Sequence, residues 1–407
     1  MIKSVIQRFF LFLSFCNLLT SQEFPYQLPR EKPEIPLSVA VNRVYDNYMA
    51  PRPEDNELYS QFKYTPLKFD YNNHDGTVSR RDPSKIIFEN GTYYVWYTHR
   101  KTSTPPKGPS VANDTIPSRD WDLSEIWYAT SKDGFHWEEQ GVAVSRPEKP
   151  NLGHRSVSTP DILKFKGKFY LYYQGFNIMS GIRGDDCPVL MSYSESPDGP
   201  WKPVNKIIIP NGPAGSWDQY SIHDPYPLVY NNKIYLYYKS DLNGKPNNIR
   251  MQGLAIADEP YGPFVKHPLN PVLNSGHETA LFPFKEGIAA MMSRDGNEHN
   301  TIQYAKDGIS FEIASIVDHM PIAAGAFVPD AFTNTTFGRG ISWGISHFTN
   351  YNSWDTNHSI LVRFDCDLSL DINDVEMKKH HTYQKADFYY SLKLTEKQLN
   401  ERLHSTK

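Results

Sequence analysis

Five acidic residues stand at matching points of a repeated phrase, and carboxylates brought to one place are what acid–base catalysis requires. They are Asp82, Asp161, Asp224, Glu278 and Asp330, separated by 79, 63, 54 and 52 residues. If they converge, one carboxylate that stays ionised can accept a proton while a second group donates one. His277, directly before Glu278, adds a group that is protonated to a useful extent near neutral pH. His223 stands in the same way before Asp224, and Gln174 closes the run YLYYQ. Taken singly, an aspartate before a proline is often only a turn-former that binds nearby backbone N–H groups. The repetition is what raises Asp82 and Asp224 above that reading.

The elements that must position these residues are strands. Each copy has an acid, a short apolar run, a turn and a burst of tyrosines: RDPSKIIFENGTYYVWYT from Arg81, TPDILKFKGKFYLYYQG from Thr159 and HDPYPLVYNNKIYLYYKS from His223. Looser copies are GHETALFPFKEGIAAMM from Gly276 and VPDAFTNTTFGRGISWGI from Val328. β-Branched and aromatic residues suit a pleated, half-buried surface. Asn90-Gly91, Lys166-Gly167 and Asn231-Asn232 supply hairpin turns between the runs. A second hairpin follows in each copy, for example IWYATSKDGFHWEEQG from Ile126. Repeats of this length that bury only part of their surface alone predict an all-β fold, a five-bladed β-propeller. Its first strands would line a central funnel and bring the five acids together.

The chain has 407 residues, a net charge of −4 and an isoelectric point near 6.4, which argue against a nucleic-acid partner. Aromatics make up 14% of the residues, with tyrosine the commonest, a composition that suits both strand packing and stacking on sugar rings. Residues 1–22 read as an export signal: Lys3 and Arg8 precede and flank the apolar run FFLFLSFCNLL, which is short for a membrane span. Cys16 would anchor a lipid only if cleavage tolerated Phe15 before it, a poor match. Cys187 and Cys366 are expected to be free. Residues 23–75 read as an N-terminal arm containing a helix-like stretch, SVAVNRVYDNYMA from Ser38. Residues 76–372 form the propeller, and 373–407 a charged C-terminal extension.

The mature chain as a whole resembles glycoside hydrolase family 117, the 3,6-anhydro-α-L-galactosidases. Three features carry the resemblance: Ser38-Val39-Ala40-Val41-Asn42-Arg43, which fits the motif S-x-A-x-x-R; the triad Asp82, Asp224 and Glu278; and His277 beside that glutamate. The triad alone is shared with family 43, whereas the other two features are narrower. The resemblance implies an exported, periplasmic or outer-membrane-associated exo-enzyme that releases 3,6-anhydro-L-galactose from neoagaro-oligosaccharides such as neoagarobiose, with inversion. It further implies a homodimer in which the helical arm of one subunit packs on the other, and a divalent cation near the site. The sequence names no ligands for that cation, and the chemistry itself requires no cofactor.

Inverting hydrolysis needs a base that activates water on one face of the sugar and an acid on the other, roughly 6.5–9.5 Å apart. Asp82 is assigned as the base, with Arg80 or Arg81 helping to keep it ionised. Asp224 is the middle carboxylate, which orients the acid or substrate and raises the acid's pKa. The acid is His277 or Glu278; His277 is preferred, with Glu278 binding a hydroxyl or holding the histidine protonated. His223 and Gln174 are substrate-binding candidates. Asp161 and Asp330 are read as structural or binding residues, and Trp127, Trp217 and Trp343 as stacking platforms or buried core. Inserts from Lys101 and from Asn177 would wall the pocket and favour a chain end. The alternatives are a family 43-like arabinofuranosidase or xylosidase, the same fold acting on another red-algal sugar, and a sugar-binding propeller without catalysis.

Overall fold

The computed structural model describes residues 23–25, 27–46, 57–67, 74–180, 187–240, 250–274, 277, 279–293, 296–350 and 357–371. The export-signal segment, Cys16, Glu278 and the C-terminal extension from 372 onward lie outside the described residues. Among the described residues the chain is mostly β, with one short helix and none long and apolar enough to cross a membrane.

The elements run in order as helix α1 (Val39–Tyr45), strand β1 (Lys63–Pro66) and five successive antiparallel units. Unit I holds β2 (Val78–Arg81), β3 (Ile87–Glu89), β4 (Thr92–Lys101), β5 (Glu125–Ser131) and β6 (Trp137–Val144). Unit II holds β7 (Ser156–Phe165), β8 (Lys168–Phe176), β9 (Val189–Ser194) and β10 (Lys202–Pro203). Unit III holds β11 (His223–Tyr230), β12 (Lys233–Ser240), β13 (Met251–Ala257) and β14 (Val265–Lys266). Unit IV holds β15 (Ala280–Lys285), β16 (Gly287–Met292), β17 (Thr301–Ala305) and β18 (Glu312–Ile316). Unit V holds β19 (Gly325–Ala326), β20 (Gly338–Asn350) and β21 (His358–Ser369). Its outer strand is β1, paired antiparallel with β21, so a strand from before unit I completes the last unit. This propeller-like arrangement is the one the repeats predict.

Local chemistry explains the hairpins. Asn90-Gly91, Lys166-Gly167 and Asn231-Asn232 all have positive φ at both positions, as the turn that matches strand twist requires. At the outer turns Asp133 accepts from the amides of Phe135 and His136, and Asp307 from those of Ile309 and Ser310. The tyrosine-rich runs then pack between units. One apolar cluster joins units I and II through Trp96, Ile162 and Leu171, and a second joins II and III through Leu163, Val229 and Leu236. A third spans III to V, and a fourth joins V back to I through Trp343, Ile345, Ile86 and Val95. Trp217 and Trp343 are buried in this packing, the first stacked on Tyr238, the second against Tyr93 and Phe327. Neither is a stacking platform for a ligand. Cys187 and Cys366 are both buried.

Two expectations need correction. The helix ends at Tyr45, short of the expected stretch to Ala50, and within the chain it docks on the body. Ser38 caps it, accepting from the Val41 amide, while its hydroxyl donates to the Pro271 carbonyl at 2.6 Å. Arg43 reaches Glu298 at 2.9 Å and Gln303 at 3.1 Å in unit IV. The first and last residues of the S-x-A-x-x-R motif therefore fasten the helix to the body. The second correction concerns unit V: its innermost strand is Gly325–Ala326, earlier than the expected start at Val328. Asp330 lies beyond it and binds Arg339 through backbone and guanidinium.

Units V and I meet at Gly325. A Cβ there would lie 2.3 Å from the Ser84 carbonyl oxygen and 2.8 Å from that of Pro83, both backbone atoms that cannot swing aside. Gly325→Ala is expected to lower unfolding stability by about 1–3 kcal/mol, read by thermal or urea denaturation. An unchanged midpoint would show that this approach is looser than described.

Candidate active site

The inner strands of units I, II and III share a break. Strand pairing skips between Ser158 and Asp161 in β7–β8 and between His223 and Tyr226 in β11–β12. In unit I it lapses after Arg81 and resumes at Ile87. Each break contains an X-Pro pair: Asp82-Pro83, Thr159-Pro160 and Asp224-Pro225. Proline donates no ladder hydrogen bond, so it sits where pairing is interrupted, and the bulge turns the preceding side chain away from the sheet. Asp82, Thr159 and Asp224 have φ of 49°, 47° and 47°. Non-glycine residues with positive φ carry strain of about 1–3 kcal/mol and cluster at functional sites. Ala323 in unit V has the same φ of 47°.

All five units then contribute to one recess open to solvent. Asp82 and Pro83 come from unit I, Thr159 to Asp161 from II, Asp224 to Tyr226 from III, Thr279 from the start of IV, and Ala323 and Ala324 from V. Thr159, not Asp161, is thus the unit II counterpart of Asp82, and unit V presents alanines. Of the expected five acids, Asp82, Asp161 and Asp224 line the recess. Asp330 does not, and Glu278 lies outside the described residues. His277 is partly buried and accepts a hydrogen bond from Ser293 on its carbonyl, but it is not among the lining residues.

Each recess carboxylate faces a fixed cation. Asp82 Oδ2 accepts from Arg81 Nε at 2.8 Å, from Thr98 Oγ1 at 3.2 Å and from Thr159 Oγ1 at 3.3 Å. Arg81 is the arginine that turns inward, whereas Arg80 binds Glu139. Asp224 accepts from Gln174 Nε2 at 2.6 Å and lies 3.1 Å from Lys239 Nζ. An adjacent cation favours the ionised carboxylate, so both aspartates serve as acceptors. Asp161 binds Lys85 through that residue's amide and ammonium, and the ammonium also lies 3.7 Å from the Tyr226 ring centre. Burial pushes Lys85 down to about 8 against the pull of Asp161, and pushes the Asp161 carboxyl up against the pull of Lys85. Asp161 is therefore the floor of the recess, tying units I, II and III together.

A second ring of side chains holds the first. Thr98, Gln174, Lys239 and His347 occupy equivalent positions near the ends of β4, β8, β12 and β20. Thr98 Oγ1 accepts the Thr159 amide at 2.7 Å, and His347 Nδ1 accepts the Asp82 amide at 3.2 Å, so that nitrogen carries the lone pair. Gln174 receives Ser158 and Thr159 hydroxyls on Oε1 while its amide group serves Asp224. Gln174 was singled out from sequence as substrate-binding; here it joins Asp224 to the residue bridging toward Asp82. The sequence reading gives no role to Thr98 or Lys239 and leaves His347, near a strand end, unassigned, although the signal is present: YYVWYT, YLYYQ, YLYYK and ISWGISH all end on a polar residue after an apolar run. His223 is buried at the start of β11, opposite Lys239. His99 stacks on Trp127 with ring centres 4.0 Å apart, and burial lowers it to about 3.

Among the described residues no group of three or more His, Cys, Asp or Glu is placed to hold a metal ion. The carboxylates that line the recess are matched instead to Arg81, Lys85 and Lys239. The divalent cation implied by the resemblance does not fit these side chains as placed, and no step below uses one.

Residues 71–261 match the sequence profile of Glycosyl hydrolases family 43. A curated relative, a probable arabinan endo-1,5-α-L-arabinosidase D from Emericella nidulans, is 30% identical over 141 residues, 33% of this chain. The match spans only 32% of that relative's length. Among solved structures, a family 117 glycoside hydrolase from the marine bacterium Zobellia galactanivorans is 58% identical, with a TM-score of 0.75, covering 83% of this chain and 99% of that one. An α-L-arabinofuranosidase from Podospora anserina shares the fold alone, at 12% identity and a TM-score of 0.51 over 75% of this chain and 96% of its own.

Lys239→Met would strand the largely buried Asp224 carboxylate without its cation. Unfolding stability at pH 7 is expected to fall by about 3 kcal/mol, and by less at pH 4.5, where the carboxyl can take up a proton. Urea denaturation at both pH values checks this; an equal loss at the two would mean that Lys239 acts by packing alone.

Proposed function

The chain belongs to glycoside hydrolase family 117, and from that premise we propose that it releases 3,6-anhydro-L-galactose from the non-reducing end of neoagaro-oligosaccharides by an inverting mechanism. The observation that carries the catalytic part is the convergence of Asp82 and Asp224 on one recess, each beside a fixed cation. The S-x-A-x-x-R residues and the His277-Glu278 pair support the choice of sugar.

In this reading Asp82 takes a proton from water, and the water oxygen bonds to the anomeric carbon from the face opposite the leaving group. The glycosidic C–O bond breaks, and the acid protonates the departing oxygen. Asp82 and Asp224 sit beside cations that favour the ionised form, and Asp161 is taken up by Lys85 in joining units I and II, so none of the three is assigned that proton. The acid is assigned to unit IV, His277 or Glu278, with His277 preferred because an imidazole is the side-chain type that ordinarily changes charge near neutral pH. Asp224, clamped between Gln174 and Lys239, orients substrate or acid. The insert from Lys101 to Glu125 is pinned by Arg155, which holds Asp122 through two bonds of 2.7 and 2.6 Å. Export and a homodimer belong to the same proposal.

The family 43 match over residues 71–261 favours one second reading, an arabinofuranoside as substrate. It covers units I and II and most of unit III, stops before β14, and does not include His277. Incubating purified protein with neoagarobiose and with nitrophenyl arabinofuranoside, and following products by NMR, separates the two. Anhydrogalactose release by the wild type, reduced at least ~1,000-fold in Asp82→Asn as expected for loss of a base, is the expected result. Release of arabinose alone, or an active Asp82→Asn protein, would contradict it.

A further inference from the structure

Arg81 is shared. Its Nε donates to Asp82, and its Nη1 lies 3.4 Å from Asp120 Oδ2. Asp120 belongs to the insert between β4 and β5 and is almost wholly buried, as are Arg81 and Asp82. It also receives Arg100 Nη2 at 3.1 Å on Oδ1 and the Ser359 hydroxyl at 2.7 Å on Oδ2. Trp121, next in the insert, lies against the Arg81 guanidinium at 4.9 Å from the ring centre. The charged and titratable groups facing this chain among the described residues are Arg81 on β2, Arg100 on β4, His347 on β20 and the two carboxylates. Thr98, Thr159 and Ser359 add hydroxyls.

We propose that Asp120 is a positioning residue for Asp82: by competing for Arg81 it limits how strongly the guanidinium suppresses the basicity of that carboxylate. The insert between β4 and β5 thereby sets the strength of the base. A base held only by Arg81 would stay ionised but would be a poor proton acceptor, because a neighbouring cation lowers a carboxyl pKa by about 1–3 units. A second carboxylate on the same guanidinium returns part of that loss. Arg100 keeps Asp120 itself ionised, holding its carboxyl below the usual range even though burial pushes it up. The inference deepens the role given to Asp82 under the proposed function and rests on that reading for its catalytic consequence.

The test titrates Asp82 directly in the full-length protein, by NMR of 13C-labelled aspartate carboxyls, with Asp82→Asn assigning the signal. Asp120→Asn keeps the shape and removes the charge; it should lower the Asp82 midpoint by about half to one pH unit. Ser359→Ala removes the hydroxyl that competes with Arg81 for Oδ2, and should raise the midpoint slightly. Opposite shifts are the signature, because a merely structural loss would not move the two variants in different directions. If Asp120→Asn does not fold, the upward shift in Ser359→Ala carries the test. An Asp82 midpoint that stays put, or moves the same way in both, overturns the inference. The acid limb of kcat/KM on neoagarobiose should follow the titration. Titration shifts without neoagarobiose turnover would uphold the Asp120 coupling and defeat the substrate reading instead.

Discussion

The site depends on an interruption of strand pairing. Where an inner strand reaches X-Pro, the ladder loses a donor and the residue before proline turns to positive φ, which points its side chain away from the sheet. Asp82, Thr159 and Asp224 share this geometry to within a few degrees. An aspartate tolerates such a φ better than most residues, but a β-branched threonine does not. Something must hold these residues there, and the second ring does so. The Asp82 amide is taken by His347 and the Thr159 amide by Thr98, each from the strand next to the break or from the adjoining unit.

The same breaks create an electrostatic problem that the structure solves locally. Three carboxylates line one small recess, where mutual repulsion would favour protonation of at least one. Arg81, Lys85 and Lys239 each neutralise one of them. Lys85 starts in unit I, binds an acid of unit II and touches a ring of unit III. The charge pairing that makes the recess habitable thus also fixes the relative placement of three units. Removing any one cation would disturb packing and chemistry together.

Much of this was legible in the sequence. The Asn-Gly and Lys-Gly turns and the tyrosine runs mark the hairpins because they are local signals with local causes. Asp82 and Asp224 were legible because their repeats align on Asp-Pro. Asp161 misled, since an acid two residues after Thr159 imitates the repeat; only the bulge shows that the threonine is the true counterpart. Asp330 misled for a similar reason: Val-Pro-Asp resembles a strand start, but the inner strand of unit V is the short Gly325–Ala326, which has no acid to announce it. Lys239 and His347 required knowledge of which strand ends face which bulge, and that comes from pairing between residues far apart in the chain. The N-terminal helix was visible by its spacing, whereas its docking through Ser38 and Arg43 was not.

The most direct test is a crystal structure of the Asp82→Asn protein soaked with neoagarobiose. The account predicts the anhydrogalactose ring in the recess, its anomeric carbon facing residue 82, Asp224 in contact with the sugar and the glycosidic oxygen turned toward unit IV. A disaccharide bound on an outer face, with the recess left to Lys85, Asp161 and solvent, would contradict it.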